Sequence, residues 1–197
     1  MIRRSFAMFG FGLSALSLVG CTVTGRSTDT PRTANEQLIL DQSLEQSLAH
    51  ARIPIPPDMT VAVETVGLSP DTVPDKGFVQ AGIERWLGRQ GLRIPHDKQE
   101  TYLLRVMIHA FGTNTRGFFL GIPPVQGGLF PISLPELAIF KSENQSGFTR
   151  FSIDIYERSS GRFLMSTPTH EGYTYAKGST ALFFITFGSS NLNPPAP

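Results

Sequence analysis

The chain of 197 residues is poor in cysteine, with a single one at position 21. One cysteine forms no internal disulfide, and metal sites built from thiolates need several. Neither sign of charge is in excess, because 17 Lys and Arg residues are balanced by 16 Asp and Glu residues. Nucleic-acid binding depends on clustered Lys and Arg. The composition therefore argues against a disulfide scaffold, a cysteine-rich metal site and a nucleic-acid partner.

The sequence also lacks an N-terminal apolar run long enough to cross a bilayer comfortably, which takes roughly 20 residues. The uncharged apolar segment near the N-terminus covers residues 5–19, and Arg3 and Arg4 precede it. A short apolar segment after a positively charged start is the layout of a secretory signal. Residues 1–20 are therefore predicted to be a signal peptide rather than a transmembrane helix.

The residues around the cysteine, Leu18-Val19-Gly20-Cys21, resemble the lipobox of bacterial lipoproteins. The resemblance implies that a peptidase cleaves before Cys21 and that the Cys21 sulfur carries a diacylglyceryl group. Two or more acyl chains anchor a protein stably, whereas one holds it marginally. The membrane is then a partner through this lipid anchor. The alternative is an ordinary signal peptide in which Cys21 has no special role.

The address within the cell envelope depends on the residue that follows the cysteine. In lipoproteins of many Gram-negative bacteria, an Asp at that place retains the protein in the inner membrane. Here the residue is Thr22. The resemblance therefore implies a lipoprotein of the outer membrane that faces the periplasm.

Composition divides the mature chain into three parts. Residues 21–32 are small, polar and rich in hydroxyl groups, which predicts a flexible tether after the lipidated cysteine. Residues 33–188 are long enough for a single domain with a sizeable core. Residues 189–197 contain three prolines and are predicted to be a disordered tail.

Two helices are predicted. Thr33 and Glu36 match a capping box, and the helix that follows ends before Pro54. Its apolar stripe contains Leu40, Leu44 and Leu48, and its water-facing side contains Asp41, Gln42, Glu45 and Gln46. The second helix covers residues 75–90, with Asp75 as the candidate N-cap and Gly91 just past its end.

The remaining periodic segments predict strands. These are residues 60–66, 102–111, 137–141, 148–156, 162–167 and 181–187. A helix between the first two strands indicates a βαβ unit with parallel strands, and the turn at 157–161 indicates a hairpin. The predicted fold class is α+β: one mixed β-sheet with a βαβ unit followed by antiparallel strands, and two helices packed on one face.

Five segments resemble, in their order, an uncharacterised family of Gram-negative envelope lipoproteins. They are RTANEQLIL, DKGFVQAGIERWLGRQG, TYLLRVMIHAFGT, LPELAIFK and YERSSGRFL. The resemblance covers nearly the whole mature chain and implies location and fold but no activity. More distantly, the order of elements after a lipid-bearing cysteine is similar to that of envelope assembly lipoproteins, which bind other proteins; this likeness is at the level of the fold.

Residues 112–135 join two predicted strands with five glycines and four prolines. Such long connections are uncommon in compact domains and tend to be functional or disordered. The segment also carries the candidate binding residues Arg116, Phe118, Phe119, Leu120 and Phe130. One interpretation is that the apolar side chains cap the end of the sheet. The other is an exposed surface that meets a partner protein or lipid, because large apolar patches usually mark such contacts.

Motifs for catalysis, metals or cofactors are not found in the sequence. His50, His96, His109 and His170 lack the spacing of metal ligands, and no nucleophile elbow or phosphate loop is present. Arg105 and His109 on one predicted strand, with Arg150 and Asp154 on another, form the best polar group. An ion pair of Asp154 with Arg105 or Arg150 explains that group without catalysis. No catalytic residue, metal site or cofactor is predicted.

Two functions remain open. The first is a lipid-anchored binding or scaffold module of the cell envelope, whose partner is an envelope protein and whose anchoring raises its local concentration. The second is an envelope hydrolase with an unrecognised active site, which a cleft with a perturbed His or carboxylate would indicate. The first, which is not an enzyme, is favoured.

Overall fold

A computed structural model describes residues 22–27, 33–67, 73–95, 100–123 and 136–193. The predicted signal peptide, Cys21 and Phe130 lie outside these ranges. The helices are α1 (Ala34–Ala49) and α2 (Val73–Arg89). The strands are β1 (Thr22–Ser27), β2 (Val61–Gly67), β3 (Tyr102–Ile122), β4 (Leu137–Glu157), β5 (Phe163–Ser166), β6 (His170–Ala181) and β7 (Ile185–Ser190).

All seven strands belong to one mixed sheet, in which β1, β3, β4, β6 and β7 are successive neighbours. Strand β2 pairs with β3 in parallel, from Val61 beside Tyr102 to Gly67 beside Ile108. Strand β5 pairs with β4 in the antiparallel direction. Helix α2 connects β2 to β3, so the predicted βαβ unit is confirmed, as is the α+β class.

The chain groups into two compact units. The first, called the helix–sheet unit, contains the described residues within 33–114, 146–175 and 191–193. The second, called the strand unit, contains those within 22–27, 115–145 and 176–190. The single domain over 33–188 remains a prediction.

The core of the helix–sheet unit joins both helices to the sheet. Fully buried members are Leu44, Val61, Ile83, Leu87, Leu104, Val106, Phe151 and Ile153. The predicted capping box is confirmed at Thr33, whose N–H donates to the Glu36 carboxylate at 2.8 Å. At the end of α2, Gly91 adopts a φ of 86°, in the left-handed region that suits glycine.

Helix α1 lies unusually close to β4 and β6 because small residues line the contact. A Cβ atom on Gly172 would stand 1.8 Å from the Ser43 carbonyl oxygen. The buried hydroxyl groups there all have hydrogen-bond partners. Ser43 Oγ lies 2.6 Å from Thr149 Oγ1, and Thr174 Oγ1 donates to the Ile39 backbone carbonyl at 2.6 Å. This short approach explains why serines on α1 are buried.

Three predicted boundaries within the sheet are wrong. Residues 112–122, predicted as part of a connection, continue strand β3, and the strands predicted at 137–141 and 148–156 form the single strand β4. Residues 181–187, predicted as one strand, instead contain the last residue of β6, the turn at 182–184 and the first three residues of β7. Glycine weakens an isolated strand, but pairing with neighbours on the sheet supplies the backbone hydrogen bonds that local sequence does not reveal.

The two ends of the predicted mature chain also differ from expectation. Thr22–Ser27 forms β1, whereas the sequence predicts a flexible tether there. Ser189 and Ser190 end β7, and Asn193 is held by Gln42, whose side-chain amide exchanges two hydrogen bonds of 2.8 Å with the Asn193 backbone. Gln42 is accordingly buried rather than facing water. Residues 194–197 lie outside the described ranges.

Candidate functional site

The strand unit exposes an unusual amount of apolar surface. Its exposed large apolar residues are Phe118, Ile122, Leu137, Ile139, Leu182, Phe183, Phe184, Ile185 and Phe187. Phe184 is the extreme case, with 79% of its surface exposed. Single exposed apolar residues are ordinary, but contiguous groups mark contact sites.

Apolar side chains stand on both faces of this part of the sheet. The Phe118 and Phe140 rings contact each other at a centroid distance of 5.9 Å and so share one face. Phe187 lies opposite Ser179, whose hydroxyl reaches Ser142, a neighbour of Phe140 by strand alternation, so Phe187 shares that face. Leu137 and Ile139, at alternate positions to Phe140, point to the opposite face.

The turn between β6 and β7 presents three apolar side chains to the surroundings. Leu182 and Phe183 have φ angles of 48° and 71°, a left-handed conformation that Gly, Asn and Asp adopt more readily. The backbone N–H groups of these two residues donate to the Ile139 and Ala138 carbonyls at 2.8 and 3.1 Å. The turn is thus fixed against the start of β4, with large side chains where small polar ones are favoured.

Charged and glycine residues lie farther along the same strands. Lys141 Nζ is 3.0 Å from Glu136 Oε1, an exposed ion pair. On the face of Lys141 and Glu143, a shallow cavity of about 400 Å³ is lined by both residues together with Gly178, Thr180, Thr186 and Gly188. Because Gly178 and Gly188 have no side chain beyond hydrogen, they leave space for this cavity. The apolar end and the polar end of the strand unit are therefore chemically distinct.

The predicted binding residues fall on β3 within the strand unit. Arg116 and Phe118 are exposed, whereas Phe119 and Leu120 are half-buried. Phe130 lies outside the described residues. The sequence-based prediction did not include Phe183, Phe184 and Phe187 in the binding surface. Their signal was present, because residues 178–190 carry no charged side chain.

The predicted polar group does not form as expected. Arg105 pairs with Glu64 at 3.4 Å and lies over the Tyr156 ring, while Arg150 pairs with Glu171 at 3.3 Å. The Asp154 carboxylate accepts a hydrogen bond from Ser166 instead of pairing with either arginine. Strand order decides these partners, since β2 and β6 place Glu64 and Glu171 beside the two arginines.

His109 and His170, for which the sequence predicts no catalytic role, have different surroundings. Burial lowers the pKa of His170 below its ordinary value of 6.5, and its ring lies 5.4 Å from that of Phe151. His109 Nε2 is 3.0 Å from Ser152 Oγ on the exposed sheet surface. Within the described ranges, no group of three or more His, Cys, Asp or Glu side chains stands close enough to hold a metal ion.

A second surface feature is a groove between α1 and α2 of about 370 Å³. Arg52, Arg85 and Arg89 line it with Glu45 and Trp86. Arg52 Nη1 donates to the Ala51 carbonyl at 3.1 Å, and Arg89 lies in the last turn of α2, where a cation stabilises the helix dipole. Arg52 and Arg89 thus already have local roles, Arg52 at the backbone just past α1 and Arg89 at the end of α2.

No model of a known protein family matches the chain, and no curated protein resembles it in sequence. Among the described residues, no helix combines the length and the apolar character needed to cross a membrane.

Proposed function

We propose that this protein is a lipid-anchored module of the cell envelope that acts by binding rather than by catalysis. Cys21 is the lipidation site, the membrane is one partner through this anchor, and the strand unit supplies a contact surface. The partner that the sequence predicts is an envelope protein. The outer membrane, on the periplasmic side, is the proposed location.

The observation that supports a binding role is the group of exposed apolar side chains on the strand unit. Burying a large apolar side chain stabilises a protein by about 1.5–3 kcal/mol, so leaving nine of them exposed forgoes much stability unless something covers them. The lipobox-like sequence before Cys21 supports the anchor.

Metabolic labelling with a palmitate analogue tests the anchor. The wild-type protein should take up the label, because Cys21 is the sole thiol in the chain. Cys21→Ala should abolish the label and leave an uncleaved precursor or an unanchored protein. Cys21→Ser is the matched control, since it keeps the size and polarity of the side chain but cannot form the thioether. Equal labelling of wild type and variants would refute the lipid anchor.

A further inference from the structure

At the apolar end of the strand unit, exposed apolar side chains point in more than one direction. We call residues 118–122, 137–140 and 181–187 the tip. Phe118 and Phe187 stand on one face, Leu137 and Ile139 on the other, and Phe184 in the turn. A docked protein covers one face of a sheet, whereas an apolar medium contacts both faces and the turn. The arrangement therefore favours lipid over a folded partner.

The distribution of charge limits how deep such contact extends. Lys141 and Lys177 are each four residues from the apolar ends of their strands at Leu137 and Ala181. Four residues of strand span about 13 Å, close to half of the roughly 30 Å hydrocarbon core of a bilayer. Glu136, next to the tip, is neutralised by its ion pair with Lys141. Because this ion pair brings the Lys141 ammonium to the tip as part of a neutral pair, the tip has the length to enter one leaflet while Lys177 remains at the headgroups.

Unpaired backbone groups also limit how deeply the strands can enter the hydrocarbon layer. Strand β7 is the last in the strand order, so its outer N–H and C=O groups have no neighbouring strand within the described sheet. In hydrocarbon each unsatisfied backbone group costs several kcal/mol. A shallow position keeps most of these groups near water and polar headgroups.

The predicted lipid anchor emerges at this unit. Cys21 is bonded to Thr22, the first residue of β1, and β1 is a neighbour of β3 and part of the strand unit. Acyl chains on Cys21 therefore begin one residue from the sheet that carries the tip. The proposed anchor and the apolar tip thus belong to the same unit.

The stability of the fold does not explain why Leu and Phe occupy the turn. Leu182 and Phe183 occupy left-handed backbone positions while about half of each side chain is exposed, 55% and 56%. Neither burial nor backbone preference favours Leu and Phe there. Strained residues of this kind cluster at functional contacts.

We propose that the tip inserts into the acyl layer of the membrane leaflet that holds the Cys21 anchor. This inference rests on the proposed function and names the occupant of its contact surface. The apolar side chains of both faces lie among the acyl chains, the neutral pair of Glu136 and Lys141 lies at the tip, and Lys177 lies at the headgroup level.

Fluorescence quenching on the lipidated full-length protein tests the inference. Phe184→Trp places a reporter at the tip, and Met165→Trp places one on β5, an apolar position in the helix–sheet unit that is also exposed. The native Trp86 is buried and serves as the common background. Each protein is reconstituted into vesicles of phosphatidylethanolamine and phosphatidylglycerol with brominated acyl chains. We expect the added emission of Phe184→Trp to shift to shorter wavelength and to be largely quenched, and that of Met165→Trp to be retained.

The outcomes separate the inference from the anchor. Flotation of the vesicles first shows whether the lipidated protein is bound, and failure at that step refutes the anchor. With the protein bound, an unquenched Phe184→Trp overturns the inference and assigns the tip to a protein partner or a second copy. Quenching of both reporters also overturns it, because contact would not be specific to the tip. Both positions are exposed, so folding should tolerate the changes.

Discussion

At the scale of single residues, small side chains decide how the helix–sheet unit packs. Gly147 and Gly172 leave room for α1, since a Cβ on either would stand within 2.4 Å of an atom of that helix. Ser43 and Thr149, both buried, then pair their hydroxyl groups. The sequence offers no sign of this contact, because Gly172 follows a charged residue in an irregular pattern.

The close approach at Gly172 makes a sharp prediction for stability. Gly172→Ala should lower the free energy of unfolding by about 1–3 kcal/mol or more, because the new methyl group overlaps the Ser43 carbonyl. Gly178→Ala is the matched control on the same strand, with no atom within 4 Å of the added Cβ, and should change stability by less than about 0.5 kcal/mol. Urea denaturation measures both. Equal midpoints for the two variants would contradict the packing of α1 against β6.

At the scale of elements, local patterns identify helices better than strands. The capping box at Thr33 and Glu36 and the glycine at 91 set the limits of α1 and α2 to within a few residues, because caps act within one turn. Strand β3 runs on through Gly112, Gly117 and Gly121, which predict a loop when considered locally. Its length depends on β4, whose pairing residues are distant along the chain.

The hairpin of β6 and β7 gives a prediction about the cost of its turn. Leu182→Asn with Phe183→Gly should raise the free energy of unfolding by about 1 kcal/mol, since Asn and Gly adopt the left-handed conformation more readily. Leu182→Ala with Phe183→Ala removes apolar surface but keeps the strained backbone, so it should give no such gain. Thermal melts together with hydrogen exchange of the β7 amides measure the effect. A loss of stability in the Asn–Gly variant would show that Leu182 and Phe183 contribute packing.

At the scale of the whole molecule, the strand unit and the helix–sheet unit differ in how far they bury their apolar side chains. Helix–sheet residues bury a continuous core of side chains from both helices and β2 to β4. The strand unit, whose ladder includes six paired positions between β6 and β7, leaves nine large apolar side chains exposed. The buried core and the proposed contact surface thus lie in different parts of the chain.

Membrane fractionation tests the address of the whole molecule. The wild-type protein should appear in the outer membrane, because Thr22 is not the Asp that retains lipoproteins in the inner membrane. Thr22→Asp should shift it to the inner membrane, and Thr22→Ser should leave it in place. Recovery of most of the wild-type protein with the inner membrane would count directly against the outer-membrane proposal.

The sequence by itself determined the features that depend on neighbours along the chain. These are the two helices with their caps, the parallel βαβ order and the α+β class. The tertiary structure alone decided the length of β3 and β4, the partners of Arg105 and Arg150, and the placement of Phe118, Ile139 and Phe184 at one end of the strand unit. The physical reason is that helical hydrogen bonds and caps close within four residues, whereas strand pairing and burial depend on residues brought together from distant parts of the chain.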